Sequence, residues 1–341
     1  RIDVGDALLN TSIGEGAGDA ITTGYRNVAM GNAALTANTT GHSNVAIGYQ
    51  ALNANTTTAH NVAIGRDALK VATAGDNVAV GYAALDANTT GTRNVGLGDN
   101  ALGATTTGSQ NTAVGGNNMQ ANTTGAYNTS VGSGALTANT TANDNTAIGY
   151  AALTANTTGA DNTALGSYAL DANTTASKNT AIGGKSLSAN TTGTENTAVG
   201  HQALEANTTA SYNTAVGYRA LEANTTGSSN IAIGWQALKD NLTTNQNVAI
   251  GNNALQSNTA AANVAIGADA LTNNTTGDSC TAVGYAALDA NTTGAHNTAL
   301  GHSALGANTT ASDNTAVGYQ ALTANTTGTD NTAVGMQVLK A

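Results

Sequence analysis

Apolar and polar positions recur along this chain with a fixed period rather than in the mixed order of a globular domain. The run Asn44-Val45-Ala46-Ile47-Gly48 returns every 17 residues, with steps of 16 after Asn61 and after Asn247. We number each unit from its Asn as offset 0, so that Gly48 lies at offset 4. A fixed period of this kind is typical of repeat architectures. The units begin at Asn10, Asn27, Asn44, Asn61, Asn77, Asn94, Asn111, Asn128, Asn145, Asn162, Asn179, Asn196, Asn213, Asn230, Asn247, Asn263, Cys280, Asn297, Asn314 and Asn331.

Each unit has the pattern of one coil of a β-solenoid. Alternation at offsets 1 to 3, as in Thr197-Ala198-Val199, predicts a short strand, and the Gly at offset 4 predicts a corner with a backbone angle that a Cβ opposes. Seventeen residues are too few for a helix pair or a propeller blade, which need about 30 to 40 residues. We therefore predict an all-β fold, a parallel β-solenoid (β-roll) of about twenty 17-residue coils, with a partial coil at residues 1–9 and one continuous repeat array over residues 10–341.

The nearly constant offsets predict the interior, because stacked coils place equal offsets above one another about 4.8 Å apart. The aliphatic residues at offset 3 and the Leu at offset 8 are expected to form two buried ladders. At offset 2 we expect small outward side chains, mostly Ala, which let another chain approach closely. The predicted ladder residues are Ile47, Ile64, Val80 and Val199 at offset 3, and Leu52, Leu69, Leu204 and Leu221 at offset 8.

Composition narrows the classes of function. Charged residues make up 9% of the chain, and 10 Lys and Arg against 20 Asp and Glu leave a net charge of −10, so nucleic acid is not an expected partner. No apolar run approaches the roughly 18 residues of a membrane span. The single cysteine, Cys280, excludes an intramolecular disulfide, and it stands where other units have the offset-0 Asn.

The repeat resembles those of known fibrous proteins. The segments Asn44-Val45-Ala46-Ile47-Gly48 and Asn145-Thr146-Ala147-Ile148-Gly149 resemble the repeated core of trimeric autotransporter adhesin heads. The string Asn314-Thr315-Ala316-Val317-Gly318-Tyr319-Gln320-Ala321-Leu322 resembles repeats of phage tail-fibre and bacterial surface-fibre proteins. The resemblance implies a left-handed β-roll, association into a homotrimer or parallel bundle, and an extracellular location at a cell surface or on a virion. The 17-residue coil is longer than the head repeat, and no neck, heptad stalk or membrane anchor is visible.

Asn-Thr-Thr at offsets 11 to 13 is the most uniform polar feature, and it has three interpretations. The first is a turn whose Asn tolerates a left-handed backbone and whose stacked amides hydrogen-bond along the coil axis. The second is N-glycosylation, because Asn-x-Thr is the acceptor motif. The third is ice binding by a Thr array, in which one Thr of each pair points outward. The candidate glycosylation residues are Asn38, Asn55, Asn88, Asn156 and Asn207.

Aromatic residues recur at offset 5 and form a candidate surface for glycans or a host surface. Amphipathic rings at an exposed corner stack on sugar faces, whereas rings that cover the Leu ladder or a neighbouring chain have a structural role. Exposed, coplanar rings would indicate a binding role, and rings buried between chains would indicate a structural role. The row consists of Tyr49, Tyr82, Tyr150, Tyr218, Trp235, Tyr285 and Tyr319.

The sequence contains no recognisable catalytic constellation. The histidines lie at different offsets in distant units, and no nucleophile elbow, phosphate loop or metal-ligand spacing occurs. We predict no enzyme activity, no metal and no cofactor. The predicted function is a structural repeat segment of an extracellular fibre or surface appendage, with a role in adhesion or extension. The alternatives are a glycan- or host-surface-binding module that uses the aromatic row and an ice-binding solenoid that uses the Thr ladder.

Overall fold

The computed structural model describes residues 2–4 as backbone and residues 8–339 in full, so part of the predicted partial coil at residues 1–9 lies outside the described residues. The chain divides into two compact units, Arg1–Thr175 and Ala176–Ala341, which we call unit 1 and unit 2. Unit 1 contains β1 (Ile2–Val4), β2 (Thr11–Ile13), β3 (Val28–Met30), β4 (Val45–Ile47), β5 (Val62–Ile64), β6 (Val78–Val80), β7 (Val95–Leu97), β8 (Thr112–Val114), β9 (Thr129–Val131), β10 (Thr146–Ile148) and β11 (Thr163–Leu165). Unit 2 contains β12 (Thr180–Ile182), β13 (Thr197–Val199), β14 (Thr214–Val216), β15 (Ile231–Ile233), β16 (Val248–Ile250), β17 (Val264–Ile266), β18 (Thr281–Val283), β19 (Thr298–Leu300), β20 (Thr315–Val317) and β21 (Thr332–Val334).

Successive strands within each unit pair in parallel at equal offsets. Ala46 of β4 lies opposite Ala63 of β5, and Ala198 of β13 lies opposite Ala215 of β14. The first strand differs, because β1 pairs with β2 in antiparallel orientation. Turns connect the strands, and no helix occurs among residues 2–4 and 8–339. The predicted all-β parallel solenoid is confirmed, with about ten coils in each unit.

The interior side of each strand is offset 2, which corrects the predicted burial map. The small residue there is enclosed, and Ala46, Ala147 and Ala198 have no exposed surface. Offsets 1 and 3 face outward, and Ile64 and Val80 are each 36% exposed. The offset-3 residues predicted to form a buried ladder therefore lie on the outer face, and the predicted outward Ala row lies inside. The residues concerned are Ile47, Ile64, Val80 and Val199.

The alternation of side chains along a strand and the narrow interior together explain why offset 2 is buried and offsets 1 and 3 are outside. Successive strand residues face opposite sides, so assigning one residue to the wrong side reverses its neighbours as well. The space beside the strand is filled by the offset-8 Leu. In β7, which has Gly96 at offset 2, an added Cβ would lie 3.2 Å from the Ala101 oxygen and 3.4 Å from Leu85 Cδ1. Little room remains beyond a methyl group, so the larger aliphatic side chains occupy the outer face.

The Leu residues at offset 8 lie in the interior, as the sequence predicts. Leu52, Leu69, Leu204 and Leu221 have no exposed surface, and burial of each side chain contributes roughly 1.5 to 3 kcal/mol. Their backbones are left-handed, with φ between 48° and 54°. Side chains branched at Cβ disfavour this conformation. This explains why the ladder uses Leu, and Met119 in one coil, rather than Val or Ile.

Two further positions in each coil are left-handed, namely offset 6 and the residue before the next offset-0 Asn. Examples are Gln202 and Glu195, each with φ 58°. No Val, Ile or Thr stands at either position in any repeat, in keeping with the same steric rule. The offset-4 Gly adds a fourth unusual angle, as Gly48 has φ +133° and an added Cβ would lie 2.5 Å from the Gly65 oxygen. These four positions turn the chain at the corners.

Two ladders of buried Asn side chains run through each unit beside the Leu ladder. At offset 0, the N–H of Asn44 donates to Asn27 Oδ1 at 3.0 Å, and Asn27 Nδ2 donates to the carbonyl oxygen of Gly41 at 2.9 Å. At offset 11, Asn55 Nδ2 donates to Asn38 Oδ1 at 3.2 Å. Buried polar groups need such partners. The stacked amides supply them from one coil to the next.

The two 16-residue coils, which we call the first short coil (61–76) and the second short coil (247–262), each lack the exposed offset-13 residue. In the first, Thr73 Oγ1 donates to a carbonyl of the following coil as other offset-12 Thr residues do, and Ala74 supplies the offset-14 carbonyl. The second short coil has the same arrangement. The offset-0 ladder continues through both, with N–H to Oδ1 distances of 3.0 Å. The deletions therefore shorten a surface turn and leave the interior in register.

Candidate functional site

The outer face of the strands carries no charged residue in β2 to β21. Offsets 1 and 3 hold Thr, Val, Ile, Leu and Met alone. At offset 3 some residues are half-buried, such as Ile47 and Ile148, and others are exposed, with 42% at Leu165 and 47% at Leu300. Each unit thus presents an uncharged strip of about 480 Å², taking ten strands about 4.8 Å apart and three residues of about 3.3 Å. We call this surface the outer sheet face. The repeat pattern did not predict this surface, because these residues were expected in the interior.

Charged side chains lie at the corners and turns instead. Lys70 Nζ lies 3.3 Å from Asp67 Oδ1, and Arg219 Nη2 lies 2.7 Å from Glu222 Oε1. Exposed ion pairs of this kind contribute about 0 to 1 kcal/mol. Burial raises the pKa of the nearby Asp86 carboxyl above its usual range, and the charge of Asp67 adds to the rise. The charged groups therefore lie at the corners and turns, and the outer sheet face has none.

All the predicted aromatic residues at offset 5 are exposed, from 41% at Tyr218 to 57% at Tyr150. They do not form one row of coplanar rings. Arg66 lies between two of them in unit 1, with its guanidinium carbon 5.7 Å from the Tyr49 ring centroid and 5.9 Å from that of Tyr82. The rings thus fall into separate groups. Their role in glycan binding stays a prediction. The residues are Tyr49, Tyr82, Tyr150, Tyr218, Trp235, Tyr285 and Tyr319.

Two other ring groups lie in unit 2. In the first, the rings of Tyr218 and Trp235 are nearly parallel, with planes 15° apart and centroids 6.4 Å apart. In the second, His302 lies between Tyr285 and Tyr319 with tilted planes, 35° and 40° from its neighbours. The first group stands beside long polar side chains at offset 6. In the second, Tyr285 and His302 stand beside the short residues Ala286 and Ser303, and Tyr319 stands beside Gln320.

The Asn of Asn-Thr-Thr lies inside the coil, which corrects the glycosylation hypothesis. A glycan is attached through Nδ2. Here Asn207 Nδ2 donates to Asn190 Oδ1 at 2.9 Å and to the Ala210 oxygen at 3.0 Å. The folded coil has no space for a sugar at this atom, and the interpretation as stacked amides describes the structure. The candidate residues, all without exposed surface, are Asn38, Asn55, Asn88, Asn156 and Asn207.

The two Thr residues of the motif have different environments. The offset-12 hydroxyl is used within the coil stack, because Thr39 Oγ1 donates to the Thr56 oxygen at 3.1 Å. The offset-13 Thr is exposed, as at Thr40 and Thr158. Only the second row is therefore available to order water. Ice binding by this row stays a prediction.

Cys280 takes the place of an offset-0 Asn inside unit 2. Its N–H donates to Asn263 Oδ1 at 2.8 Å, and its Sγ donates to the Gly294 oxygen at 3.3 Å. Burial is the main reason why the pKa of the thiol rises to about 11. The neutral thiol thus continues the ladder, and the thiolate that reacts with oxidants or metals is disfavoured.

Among residues 8–339, no three His, Cys, Asp or Glu side chains lie close enough together to hold a metal ion. The described chain also contains no helix of the length and apolarity that a membrane span requires. A cavity of about 280 Å³ lies at the last described coils, and ladder residues such as Leu322, Asn331 and Leu339 line it. The outer sheet face and the offset-5 rings are the surfaces that carry distinct chemistry.

Comparison with known protein-family models and with curated proteins found no match to this chain. The resemblance to adhesin heads and tail fibres therefore rests on the repeat residues. At the level of fold, the chain is a parallel β-solenoid of 17-residue coils.

Proposed function

We propose that the chain is a structural repeat segment of an extracellular fibre or surface appendage, cellular or viral, whose copies associate side by side through the outer sheet face. The observation that carries the proposal is the outer sheet face of each unit, an uncharged strip of Thr and aliphatic side chains. The proposal assigns the chain a role in extension and adhesion and no chemical reaction.

Charge distribution supports a second copy of this chain as the occupant of the outer sheet face. With a net charge of −10, copies of the chain repel one another over most of their surface. The outer sheet face is free of that repulsion. Its footprint of about 480 Å² per unit is more than half of the roughly 800 Å² per partner that a stable interface buries.

The resemblance to adhesin heads and tail fibres supports the remaining parts of the proposal. It favours parallel chains, three as their number, and an extracellular location. The predicted contact through the Ala row is replaced, because Ala46 and its equivalents are buried within their own chain. Association through offsets 1 and 3 uses the side chains that the coil leaves outside.

The contacts in the interior support a structural rather than a catalytic role. Each coil is joined to the next by a parallel strand pair, by the offset-0 amide ladder and by buried Leu, and the same contacts repeat throughout each unit. In such arrays stability is approximately a sum over coils and their neighbour interfaces. Length can therefore grow by adding coils.

The test is the mass of the native particle, measured by light scattering on the chain of 33.3 kDa. We expect a multiple of that mass, three for a trimer. The double variant Ile148→Lys, Leu165→Lys places two charges on the outer sheet face of unit 1 and should lower the mass to that of one chain. The matched control Thr141→Lys, Thr158→Lys adds the same charge at exposed offset-13 positions and should leave the mass unchanged.

Circular dichroism of each variant separates dissociation from unfolding, because a dissociated chain keeps its β-rich spectrum. A wild-type mass of one chain would overturn the association. Equal masses for the wild type and the Ile148→Lys, Leu165→Lys variant would overturn the assignment of the interface to the outer sheet face.

A further inference from the structure

Three exposed rings form a continuous stack in unit 2, at offset 5 of three successive coils. His201 stacks on Tyr218 with centroids 5.9 Å and planes 15° apart, and Tyr218 stacks on Trp235 with centroids 6.4 Å and planes 15° apart. At these distances the parallel rings are slipped, so part of each face remains uncovered. Tyr218 is 41% and Trp235 47% exposed. We call His201, Tyr218 and Trp235 the aromatic stack.

The ends of the aromatic stack are open. The preceding offset-5 residue is Gly184, which has no side chain, and the following one is Asn252, which carries no ring. The outer ring faces of His201 and Trp235 therefore have no aromatic neighbour at this offset. Exposed aromatic rings of this kind pack against the apolar face of a ligand.

Polar side chains from the same three coils line the aromatic stack. Gln202 Nε2 donates to Glu205 Oε2 at 2.7 Å, and Arg219 Nε donates to Glu222 Oε1 at 2.8 Å. In the third coil, Gln236 Oε1 accepts from Gln256 Nε2 at 3.1 Å. We call Gln202, Glu205, Arg219, Glu222 and Gln236 the polar row. Because each member is already held by a hydrogen bond to another side chain, it loses less side-chain freedom when a ligand binds.

Arg219 joins the polar row to the aromatic stack. Its guanidinium carbon lies 5.9 Å from the centroid of the Tyr218 ring, and its Nη2 lies 2.7 Å from Glu222 Oε1. The arrangement places an apolar surface beside planar groups that both donate and accept hydrogen bonds. Sugars present these two kinds of surface together, as C–H faces and hydroxyl pairs. The two carboxylates and one guanidinium of the polar row leave one net negative charge, which disfavours acidic sugars.

We propose that the aromatic stack and the polar row form a binding site for a neutral polysaccharide chain that lies along the three coils. The first and third coils are about 10 Å apart at the rise of stacked strands, so the site contacts several sugar rings rather than one. This binding does not depend on association through the outer sheet face, and its test is separate.

The other ring groups differ from this site. In unit 1, Arg66 occupies the space between Tyr49 and Tyr82. The rings of Tyr285, His302 and Tyr319 are tilted. Tyr285 and His302 stand beside the short side chains of Ala286 and Ser303, and only Tyr319 has a long planar neighbour, Gln320. Tyr285 therefore provides a matched control, since it is exposed at the same offset without a polar row.

The experiment uses the fluorescence of Trp235, which is the single tryptophan of the chain. The full chain is titrated with hexamers of β-1,4-glucose, β-1,4-N-acetylglucosamine and α-1,4-glucose, and with an acidic hexamer of galacturonate. We expect a saturable change in emission with at least one neutral hexamer and none with the acidic one. A lack of response to all three neutral hexamers would overturn the proposal, and so would tighter binding of galacturonate.

Calorimetry with the responding hexamer then compares variants. Trp235→Ala should weaken Kd by about tenfold or more, as expected for a central aromatic contact. Arg219→Lys, which keeps the charge but loses the planar fork, should weaken it severalfold. Tyr285→Ala should leave Kd within about twofold. Equal losses for Trp235→Ala and Tyr285→Ala would place the binding elsewhere and overturn the site. All three side chains are at the surface, so circular dichroism should show the wild-type fold.

Discussion

The first and second short coils differ in the offset-11 ladder although each has lost the same turn residue. In both, the coil before the deletion has Thr rather than Gly or Ala at offset 14. This Thr hydroxyl donates to the offset-11 Asn of its own coil and accepts from the offset-0 Asn of the short coil, at 3.3 Å and 3.2 Å. The Thr residues are Thr58 and Thr244. The same two Thr hydrogen bonds therefore precede the deletion in each unit.

The difference lies at offset 11, where the first short coil has Ala72 and the second has Asn258. In the second, the ladder resumes at once, with Asn274 Nδ2 donating to Asn258 Oδ1 at 2.8 Å. In the first, the ladder stops and restarts at Asn88. The Oδ1 of Asn88 is buried without a hydrogen-bond partner, because the next coil has Thr105 at this offset. The offset-0 ladder and the Leu ladder therefore maintain the register, and the offset-11 ladder can lapse.

The largest expected effect concerns the Leu ladder, which both short coils share. Leu69→Ala and Leu255→Ala should each lower the free energy of unfolding by about 2 to 5 kcal/mol, because each leaves a cavity at a fully buried site. The two losses should agree within about 0.5 kcal/mol, and Thr90→Ala at exposed offset 13 should change little. Denaturant unfolding followed by circular dichroism measures all three. Clearly unequal losses for the two Leu variants would contradict the shared role of this ladder.

Cys280, which replaces an Asn of the offset-0 ladder, predicts a dependence of stability on pH that neither short coil has. The folded chain raises the pKa of this thiol from 9.0 to about 11. Below pH 9 the thiol is protonated in both states, so its burial costs nothing extra. Between pH 9 and 11 the unfolded chain releases the proton first, and stability should fall by about 2 to 3 kcal/mol in total.

The measurement is the difference in unfolding free energy between the wild type and Cys280→Asn from pH 8 to pH 11. Taking the difference removes the titration of Tyr and Lys, which both chains share. The gap should widen in favour of the variant as pH rises. Parallel curves for the two chains would show that the thiol titrates normally.

The next effect tests whether the two Thr hydroxyls have the same role. Thr58→Val and Thr244→Val should each cost about 1 to 3 kcal/mol, because each leaves the offset-11 Asn oxygen buried without its donor. The control is Thr57→Val, which changes an exposed hydroxyl at offset 13. Thermal unfolding compares the three variants. A loss in one short coil but not in the other would break the equivalence described above.

The smallest expected effect is a gain. Thr105→Asn supplies an Nδ2 donor for the unpaired Asn88 Oδ1 and should raise stability by about 0.5 to 1.5 kcal/mol. The same unfolding experiment detects it, with Thr107→Asn at exposed offset 13 as the control for adding an amide. A loss of stability would show that Thr105 fits its site better than the ladder residue does.

The repeat period, the strand at offsets 1 to 3, the glycine corner and the Leu interior could all be predicted from the sequence. Which strand face is buried could not, because the residues with the larger apolar side chains lie at offsets 1 and 3. A hydrophobic pattern favours burying them, whereas the narrow interior admits Ala46 and excludes Ile47. The corners leave one consistent sign in the sequence, since offset 6 and the residue before each offset-0 Asn, both left-handed, never hold Val, Ile or Thr.

The candidate carbohydrate site could be predicted in part. The offset-5 row identifies Tyr218 and Trp235 as surface aromatics, and the structure agrees. Their parallel stacking with His201, and the pairing of Arg219 with Glu222, depend on side-chain rotamers that periodicity does not specify. The stacked Asn amides were one of three interpretations of Asn-Thr-Thr. Because Asn is also common in exposed turns, only the burial seen in the structure separates this ladder from a glycosylation site.

The number of residues in the exposed turn after offset 12 does not affect the interior of the coil. Two coils lack a residue there and keep the offset-0 ladder intact. The same turn should accept added residues, because loops that cross no buried contact tolerate insertion. A peptide inserted after Thr157, and a second after Thr174, would then emerge one coil apart, about 4.8 Å along the stack. Within each unit, the spacing between two displayed peptides would then be set by the number of coils between their insertion points.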